Sequence, residues 1–398
     1  MRKTALASVA VMALAPALAA CTENAATDTG ADGASERVLS VASDAGACEL
    51  SATSAPAGTL SFEVTNTGPD VTEFYLLDED GLRIIGEVEN IGPNLAKTLT
   101  VSAAEGTYTT ACKPGMVGEG IRAAFTVTAS DEEVTVSASD QELIEQAEAN
   151  YRAYVQDQSA QLLERTAEFV ALYQAGDSDD EARALYPVAR THWERIETVA
   201  ESFGDLDPRM DAREADVDVA AGERWTGWHL IEKDLWPAEA GKYRSLTPEE
   251  RIAYGDDLLA NTEVLDKRIR ATGEDALEYP IDTIANGSIG LLEEVAGGKI
   301  TGEEEAWSHT DLWDFQANVD GARVAYEGVE ALLETKDPEL ATELTARFDD
   351  LQSLLDQHRD GEGFLLYTAL SKDEVRALAA AVDALAEPLS QLTASVTA

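Results

Sequence analysis

The spacing of apolar residues changes once along this chain, and this change constrains the fold more than any other sequence feature. Across residues 38–129, short alternating or β-branched segments are separated by glycines, a pattern typical of a small β-sandwich. From residue 141 onward, apolar residues recur at intervals of three and four on alanine-rich, charged segments, which predicts helical bundles. The acidic stretch 130–140 has little to bury and is expected to be a linker. The predicted fold is therefore multi-domain, an all-β sandwich followed by an all-α domain at 141–398.

The helical part divides into segments of bundle-forming length. Helices are predicted at residues 141–174, 179–203, 214–235, 248–271, 279–297, 302–336, 338–358 and 372–396. Each segment carries an apolar stripe that must be buried against a neighbour. We therefore expect these helices to share one or two common cores.

The N-terminus has the features of an export signal. An apolar run at residues 5–15 follows two basic residues, and small residues stand directly before Cys21, which is the layout of a signal that ends at a lipidated cysteine. The run is too short to span a bilayer as a helix. An ordinary signal peptide with a chance cysteine is the alternative. We expect a signal peptide at 1–21, a flexible tether at 22–37, and an extracytoplasmic protein, at the cell surface or in the periplasm, anchored in the lipid bilayer through acylated Cys21.

The charge of the chain limits its partners. The sequence contains 29 Lys and Arg residues against 76 Asp and Glu residues, a net charge of −47. Such a charge opposes binding to nucleic acid and to anionic headgroups, and it favours cations. Most of these carboxylates are expected to lie singly on solvated helix faces, which favours solubility. Only clustered carboxylates therefore indicate a site.

A histidine and a glutamate in the hexapeptide GWHLIE point to a metal site. His229 and Glu232 stand three residues apart in a predicted helix, so both side chains lie on one face and can reach a single ion. Upstream, acidic residues follow His192 in a stretch rich in Trp and Ile, where unpaired carboxylates are costly to bury. A bound cation would offset that cost. An ordinary buried histidine is the alternative, because a lone His-x-x-Glu occurs often by chance.

Four motifs, in the order HWERIE, SFGDLDPRMD, GWHLIEKDLW and SHTDLWDFQANVDGA, resemble the imelysin-like domain of EfeO-type iron-uptake lipoproteins. The likeness covers residues 140–396 and implies two four-helix bundles related by an internal duplication. It also implies four metal ligands, which are Glu194, Asp211, His229 and Glu232. Two alternatives remain for four other polar residues of these motifs: they orient the ligands, or they make ordinary buried or surface contacts. These residues are His192, Glu197, His309 and Asp311.

The implied ligands determine which metals suit the site. Three carboxylates and one imidazole form a donor set of hard to borderline character. Such a set suits iron, as Fe²⁺ or Fe³⁺, and also manganese or zinc, but poorly suits copper(I). Iron is therefore the expected ion, with zinc or another divalent metal as the alternative.

The β-domain resembles the cupredoxin-like domain that precedes the helical domain in EfeO proteins, including a loop that runs from Cys112 to Met116. A classical copper site needs two imidazoles beside the cysteine. All four histidines lie at position 192 or later, so a classical copper site is not expected. Two alternatives remain for this exported domain: a disulfide between Cys48 and Cys112, or an unusual metal site of Cys48, Cys112 and Glu73, with Met116.

Three classes of function follow from these observations. The resemblance implies a lipid-anchored component of an iron-uptake system, which captures iron and passes it to a membrane permease; in the family, a haem peroxidase completes the system. The second class is a metallopeptidase, since imelysin-like proteins have been classed as such, although the chain lacks His-Glu-x-x-His. The third is a metal-dependent polysaccharide-binding module whose Trp residues stack on sugars. Nucleic acid is not an expected partner.

Overall fold

The β-domain is a sandwich of two sheets whose inner faces carry alternating apolar residues. The computed structural model describes residues 37–397 except 80, 82–83, 117, 119, 131–136, 177–178, 218–221, 223 and 274–275. The predicted signal peptide, Cys21 and the tether up to residue 36 lie outside the described residues. The strands are β1 (Val38–Ser43), β2 (Cys48–Leu50), β3 (Ser54–Pro56), β4 (Gly58–Asn66), β5 (Thr72–Leu77), β6 (Ile84–Ile91), β7 (Ala96–Ala103), β8 (Gly106–Cys112) and β9 (Ile121–Thr128).

Within the described residues, these strands form sheets of order β2-β1-β4-β7 and β3-β9-β8-β5-β6. Strand β4 illustrates the expected alternation, because Phe62 and its next-but-one neighbours are buried while the residues between them are more exposed. The ring of Phe62 meets Phe74 of the other sheet at 5.2 Å and Phe125 at 5.6 Å between centroids. Aromatic packing across the two inner faces therefore holds the sandwich together.

A disulfide joins the two sheets. Cys48 in β2 and Cys112 in β8 are bonded, with their Cα atoms 5.6 Å apart. The other two residues considered for a metal site are placed differently: Glu73 accepts a 2.6 Å hydrogen bond from the Tyr75 hydroxyl, and Met116 is 41% exposed. Because the disulfide uses both thiols, the structure favours the disulfide over the metal alternative.

Removing this disulfide should weaken the protein measurably. The bond spans a sequence separation of 64 residues, so it restricts the unfolded chain strongly, and we expect a Cys48→Ala/Cys112→Ala protein to lose about 2–4 kcal/mol of unfolding free energy. Urea unfolding of the double variant and the parent measures this difference. Thiol labelling of the unreduced parent provides the control, because full labelling of both cysteines would contradict the disulfide.

The helical domain begins at α1 (Ala138–Ala175) and continues almost to the end of the chain. The other helices are α2 (Asp179–Glu194), α3 (Leu206–Asp211), α4 (Trp228–Leu235), α5 (Pro248–Ile269), α6 (Ile281–Gly297), α7 (Asp311–Lys336), α8 (Pro338–Leu355), α9 (Lys372–Leu389) and α10 (Leu392–Thr397), with a small hairpin of β10 (Arg359–Asp360) and β11 (Gly363–Phe364). In the described part of the chain, no helix has both the length and the apolar character needed to cross a bilayer.

The helices pack as two groups around one continuous apolar core. Helices α6, α7, α8 and α9 form one bundle, and α1, α2 and α5 form the other, in which short α3 and α4 take the place of a fourth long helix. The two groups meet where α7 packs against α1 and α2. The predicted fold class, an all-β domain followed by a helical imelysin-like domain, is confirmed. The predicted linker at 130–140 stays a prediction, because residues 131–136 lie outside the described part.

Three predicted helices are wrong at their ends. Helix α2 ends at Glu194 and a 3₁₀ segment, Glu197–Phe203, follows it. Among the described residues of the helix predicted at 214–235, Glu214–Asp216 form a 3₁₀ turn and Trp228–Leu235 form α4. The helix predicted from residue 302 begins only at Asp311. Before α7, the backbone N–H groups of Trp307 and Ser308 bond to the Glu232 carboxylate, so tertiary contacts replace helical hydrogen bonds there.

Helix α6 carries the contacts that dock the helical domain onto the sandwich. The backbone N–H of Ser102 in β7 donates a 2.6 Å hydrogen bond to the Asp282 carboxylate. The Asn286 amide donates to the Thr100 carbonyl at 2.8 Å. The two domains are thus joined by specific polar contacts, which place the β5–β6 side of the sandwich beside the start of the 3₁₀ segment 197–203.

Candidate metal centre

An acidic cluster lies inside the helical domain, where α2, α3, α4, the turn before α7, and α7 itself converge. In the described part of the chain it contains eight largely buried carboxylates: Glu194, Glu197, Asp211, Glu232, Glu304, Glu305, Asp311 and Asp314. Two buried cationic side chains, Arg190 and Lys299, contact them. Buried carboxylates that outnumber their cationic partners are costly unless they are protonated or bind additional cations.

Gly227, the first residue of the GWHLIE motif, brings α3 and α4 together. Its φ of 92° is in the region that favours glycine, and a Cβ at this position would lie 2.1 Å from the carbonyl oxygen of Met210. Only glycine therefore permits this close approach of the two backbones. The consequence is that Asp211 at the end of α3 lies beside His229 in the first turn of α4, with 3.5 Å between Oδ1 and Nε2.

His229 is enclosed by carboxylates and is 1% exposed. Its Nε2 lies 3.5 Å from Asp211 and 3.4 Å from Glu304, while its Nδ1 lies 3.7 Å from Glu232 and 3.9 Å from Glu305. Among the described residues, neither ring nitrogen has a hydrogen-bond partner. Burial lowers the pKa of His229, but the surrounding carboxylates outweigh burial and raise this pKa to about 9. The carboxylates therefore favour the protonated form of the imidazole.

Glu232 is oriented by backbone groups of the turn before α7. Its Oε1 accepts hydrogen bonds from the N–H groups of Trp307 at 2.8 Å and Ser308 at 2.7 Å. Its Oε2 has no hydrogen-bond partner in the described part of the protein and lies on the side of His229 Nδ1. One oxygen is therefore anchored while the other remains free to bind a ligand.

Glu305 is anchored in a similar way. Its carboxylate accepts hydrogen bonds from the Tyr186 hydroxyl at 3.1 Å and the Ser308 hydroxyl at 2.9 Å, and its backbone N–H donates to the Asp311 carboxylate at 3.1 Å. Burial, reinforced by the neighbouring carboxylates, raises the pKa of Glu305 well above its usual range. The turn that carries this residue is thus fixed to α7 by Asp311 and to α2 by Tyr186.

Glu194 and Glu197 form the end of the cluster that faces the β-domain. Lys299 Nζ lies 3.1 Å from Glu194 and 2.6 Å from Glu197, and the Asn318 amide donates to both carboxylates, at 3.0 Å and 2.8 Å. Burial and the nearby charge of Glu194 raise the pKa of Glu197 well above its usual range. Burial opposes ionisation of Glu194 as well, but Arg190 and Lys299 keep its pKa below the usual value.

Arg190 is the central cation of the cluster and its side chain is fully buried. Of the described carboxylates, five lie within ion-pair distance of its guanidinium: Glu194, Asp211, Glu304, Glu305 and Asp314. Burial alone would disfavour the charged form, yet these carboxylates raise the pKa of Arg190 well above its usual value. The guanidinium therefore marks a position where the protein already stabilises positive charge.

The structure divides the four predicted ligands among overlapping groups. Among the described residues, three triads bring their ligand atoms within 4.8 Å of one another: Glu194, Glu197 and Asp211; Asp211, His229 and Glu304; and His229, Glu232 and Glu305. None of these triads holds Glu194 together with His229. The triads form a continuous chain, because Asp211 joins the first to the second and His229 joins the second to the third.

The residues considered for orienting roles are placed differently from one another. Glu197 belongs to the first triad, and Asp311 holds the turn of Glu305. His192 lies away from the cluster, with its Nδ1 2.9 Å from the Gln158 side chain, and burial lowers its pKa to about 4. His309 is half-buried, adopts a positive φ of 60°, and contributes its backbone N–H to the Glu305 carbonyl at 2.9 Å.

Five residues of the cluster are absent from the sequence-based set of ligands and orienting residues: Arg190, Lys299, Glu304, Glu305 and Asp314. Glu304 and Glu305 lie in a glutamate-rich segment that has the pattern of a solvated helix end. Arg190 stands four residues before Glu194, which is the spacing of an ordinary surface ion pair. Lys299 follows two glycines in a turn. The run of acidic residues directly before Trp307 was the one signal available in the sequence for Glu304 and Glu305.

A cavity of about 300 Å³ lies between the two domains and borders this cluster. Acidic residues of both domains line it, namely Glu87 and Glu89 of β6 and Glu197, Glu201, Asp207 and Glu294 of the helical domain. Burial raises the pKa of Glu89, Glu201 and Glu294 to about 8. Glu197 belongs both to the cavity wall and to the first triad, so the cavity reaches the edge of the cluster.

The chemistry of the cluster is that of a cation site with oxygen and nitrogen donors. Carboxylates and one imidazole suit iron, manganese or zinc. The ring nitrogens of His229 lie 3.4–3.9 Å from the carboxylates of the two triads that contain it, near the about 3.4 Å expected for tetrahedral ligands at 2.0–2.2 Å from a metal. An imidazole with two unpartnered nitrogens among carboxylates fits such an ion. Metal binding by His229 requires that its ring lose a proton, because an imidazolium has no free lone pair.

Comparison with known sequences identifies the family. A family model described as Peptidase_M75: Imelysin matches residues 147–392. The chain is 34% identical to the "Iron uptake system component EfeO" of Escherichia coli O157:H7 over 87% of this chain and 88% of that protein. It is 36% identical to the protein of the same name from Yersinia pestis over 87% of each. It is also 41% identical to an "Efem/EfeO family lipoprotein" of Staphylococcus haemolyticus over 63% of this chain and 83% of that protein.

A comparison with solved structures gives a weaker match. The crystal structure of an imelysin-like protein from Psychrobacter arcticum 273-4 aligns with 65% of this chain and 95% of its own, with a TM-score of 0.43 and 14% sequence identity. The family assignment itself depends on the sequence matches, which include relatives above 30% identity along most of the chain. The chain therefore belongs to the imelysin family, and within that family to the EfeO proteins.

Proposed function

We propose that this protein is the lipid-anchored, extracytoplasmic iron-binding component of an iron-uptake system, and that it captures iron in the acidic cluster and passes it to a membrane permease. The observation that carries this proposal is His229, a buried imidazole with both nitrogens unpartnered among carboxylates. The names of the relatives describe iron-uptake components, which supports iron as the ion. A haem peroxidase of the same system is the second expected partner.

The ion is proposed to bind on the Nε2 side of His229. Asp211 and Glu304 face this nitrogen, and the Arg190 guanidinium contacts these two carboxylates and Glu194. An ion that replaces the guanidinium at this point would be bound by the carboxylates that now surround the arginine. Oxygen donors of this kind accept both Fe²⁺ and Fe³⁺.

The cavity between the domains is the proposed route for the ion. Its acidic lining attracts cations, and Glu197 joins the cavity to the cluster. The β-domain contributes Glu87 and Glu89 to the wall, so the sandwich takes part in delivery rather than in holding the ion. Acylation of Cys21 would keep this route close to the membrane and its permease.

Burial of the cluster favours transport over peptide hydrolysis. A zinc peptidase needs an open coordination position that a peptide bond can reach. His229 is 1% exposed and Glu232 is fully buried, which leaves no room for a polypeptide substrate at this site. Metal-dependent cleavage of a denatured protein, lost on replacing His229, would instead support the peptidase.

Replacing His229 tests the proposal directly. We expect His229→Ala to lower the affinity for Fe²⁺ by about tenfold or more, since changes outside the ligand shell already cost about 10–100-fold in metal sites. Anaerobic calorimetric titration measures this affinity, and circular dichroism checks that helix content is retained. His192→Ala is the matched control, because His192 is also buried but bonds to Gln158 away from the cluster. Equal affinities in the parent and both variants would refute the metal assignment.

A further inference from the structure

The imidazole of His229 has two buried faces, and the proposed iron site uses only one of them. The Nδ1 side is as enclosed as the Nε2 side, because the ring is 1% exposed and neither nitrogen has a hydrogen-bond partner among the described residues. A buried polar atom without a partner is unfavourable. A ligand on the Nε2 side alone would leave the Nδ1 atom in this unfavourable state.

A separate pair of carboxylates faces Nδ1. Glu232 Oε2 lies 3.7 Å and Glu305 Oε1 lies 3.9 Å from this atom, and all three ligand atoms lie within 4.8 Å of one another. For an ion with donors at 2.0–2.2 Å, neighbouring tetrahedral donors stand about 3.4 Å apart. Shifts of a few tenths of an ångström to about an ångström would therefore bring these atoms around one ion.

The protein orients both carboxylates of this pair; Glu232 keeps one oxygen free for a ligand, whereas Oε1 of Glu305 also contacts Arg190 at 3.0 Å. Glu232 is held through Oε1 by two backbone N–H groups, which leaves Oε2 without a partner. Glu305 is held by hydroxyl groups of Tyr186 and Ser308. Anchored carboxylates of this kind are the outer support that metal ligands require. The free oxygen of Glu232 is buried and points towards the unpartnered nitrogen.

The charge of the cluster also leaves room for a second ion. Among the described residues, the permanent cations that contact the eight carboxylates named above are Arg190, Lys299 and, at Glu304, Arg213. Arg190 contacts Asp211 and Glu304 on one side of the ring and Glu305 on the other, so its withdrawal would free donors on both sides. A second cation would pair with the carboxylates on the Nδ1 side, which an ion on the Nε2 side does not reach.

We propose that a second transition-metal cation binds on the Nδ1 side of His229, between Glu232 and Glu305, so that the imidazole bridges two ions. This inference rests on the proposed function, because it assumes that the Nε2 side holds a metal. With each metal about 2.0–2.1 Å from its nitrogen, the two ions lie roughly 6 Å apart. The ring must then bind as an imidazolate, with both of its nitrogen protons released to solvent.

The number of bound ions tests this proposal. We use Mn²⁺ as the probe and expect the parent protein to retain two ions per chain after desalting, whereas Glu305→Gln retains one. Glu304→Gln should also retain one ion, now on the Nδ1 side. Glu303→Gln is the matched control, because Glu303 lies in the same turn but is 57% exposed, and we expect it to retain two ions.

Electron paramagnetic resonance of the Mn²⁺-loaded parent gives a readout that does not depend on the folding of any variant. Two Mn²⁺ ions at roughly 6 Å should broaden each other's six-line spectrum, and Glu305→Gln should restore the spectrum of an isolated ion. One ion per chain in the parent, retained with unchanged affinity in Glu305→Gln and lost in Glu304→Gln, overturns the second position but leaves the proposed function intact. No bound ion in the parent overturns both.

Discussion

Replacing Arg190 by methionine should destabilise the metal-free protein by about 3–5 kcal/mol, the usual cost of removing one partner from a buried ion pair. The guanidinium is fully buried and contacts five carboxylates of the described structure, so no water can replace it. Methionine retains much of the aliphatic volume, and the loss therefore reports on charge. Urea unfolding of the metal-free parent and variant, followed by circular dichroism, measures the difference.

The same variant should respond more strongly to metal. A cation that binds the folded state stabilises it in proportion to its affinity, and without the guanidinium it need not compete for Asp211 and Glu304. We expect saturating Mn²⁺ to raise the unfolding midpoint of Arg190→Met more than that of the parent. Arg195→Met is the matched control, because Arg195 pairs with Asp320 at the surface, with side chains 32% and 33% exposed, and such pairs contribute about 0–1 kcal/mol. An Arg190→Met protein as stable as the parent would show that the carboxylates do not need this cation.

Local sequence patterns predicted the two fold classes and part of the site. Alternation of apolar residues in segments such as β4 predicted the sandwich, because each strand must bury one face. The helical spacing around His229 and Glu232 correctly placed both residues on α4. The glycine at 227 has a physical reason that the motif alone does not show, since it permits the contact between α3 and α4. Local sequence pattern was therefore sufficient to predict features that depend on a single strand or helix.

Local patterns were insufficient where distant elements meet. Glu304 and Glu305 reach His229 from a turn more than 70 residues later in the chain, and their position depends on Asp311 and on the packing of α7. Arg190 and Glu194 have the spacing of a surface pair, but the convergence of α2, α4 and α7 buries both. Burial of a charged residue is a property of the assembled fold, so spacing along one helix cannot reveal it.

The helical spacing of the sequence also did not reveal where the helices that border the site begin. Residues 214–227 and 302–310 have helical spacing, yet α4 and α7 begin only at Trp228 and Asp311. The turn before α7 gives its backbone N–H groups to Glu232 instead of to a preceding helical turn. At this turn a side chain of the site competes with the helix for backbone hydrogen bonds, and the site prevails.

The affinity for metal should rise steeply with pH, because protons and the metal ion compete for the same donor atoms around His229. The carboxylates around His229 raise its pKa to about 9 against the opposing effects of burial and of Arg190. Below this pKa the imidazole must release a proton before it can bind a metal, so affinity gains about tenfold per pH unit for each proton released. Above pH 9 this gain stops. The charged and titratable groups that face the ring are Arg190, Asp211, Glu232, Glu304 and Glu305.

We therefore expect the affinity for Mn²⁺ to increase by about 100-fold or more between pH 6 and pH 8. Calorimetric titrations at several pH values measure this slope, and repeating them in buffers with different ionisation enthalpies counts the protons released. The count should be at least one per ion, and higher if Glu305, whose pKa is raised well above its usual range by burial and neighbouring carboxylates, is also a ligand. In His229→Ala the slope should decrease, because the imidazole proton is gone. An affinity that does not change between pH 6 and pH 8 would mean that His229 is not a ligand of the ion.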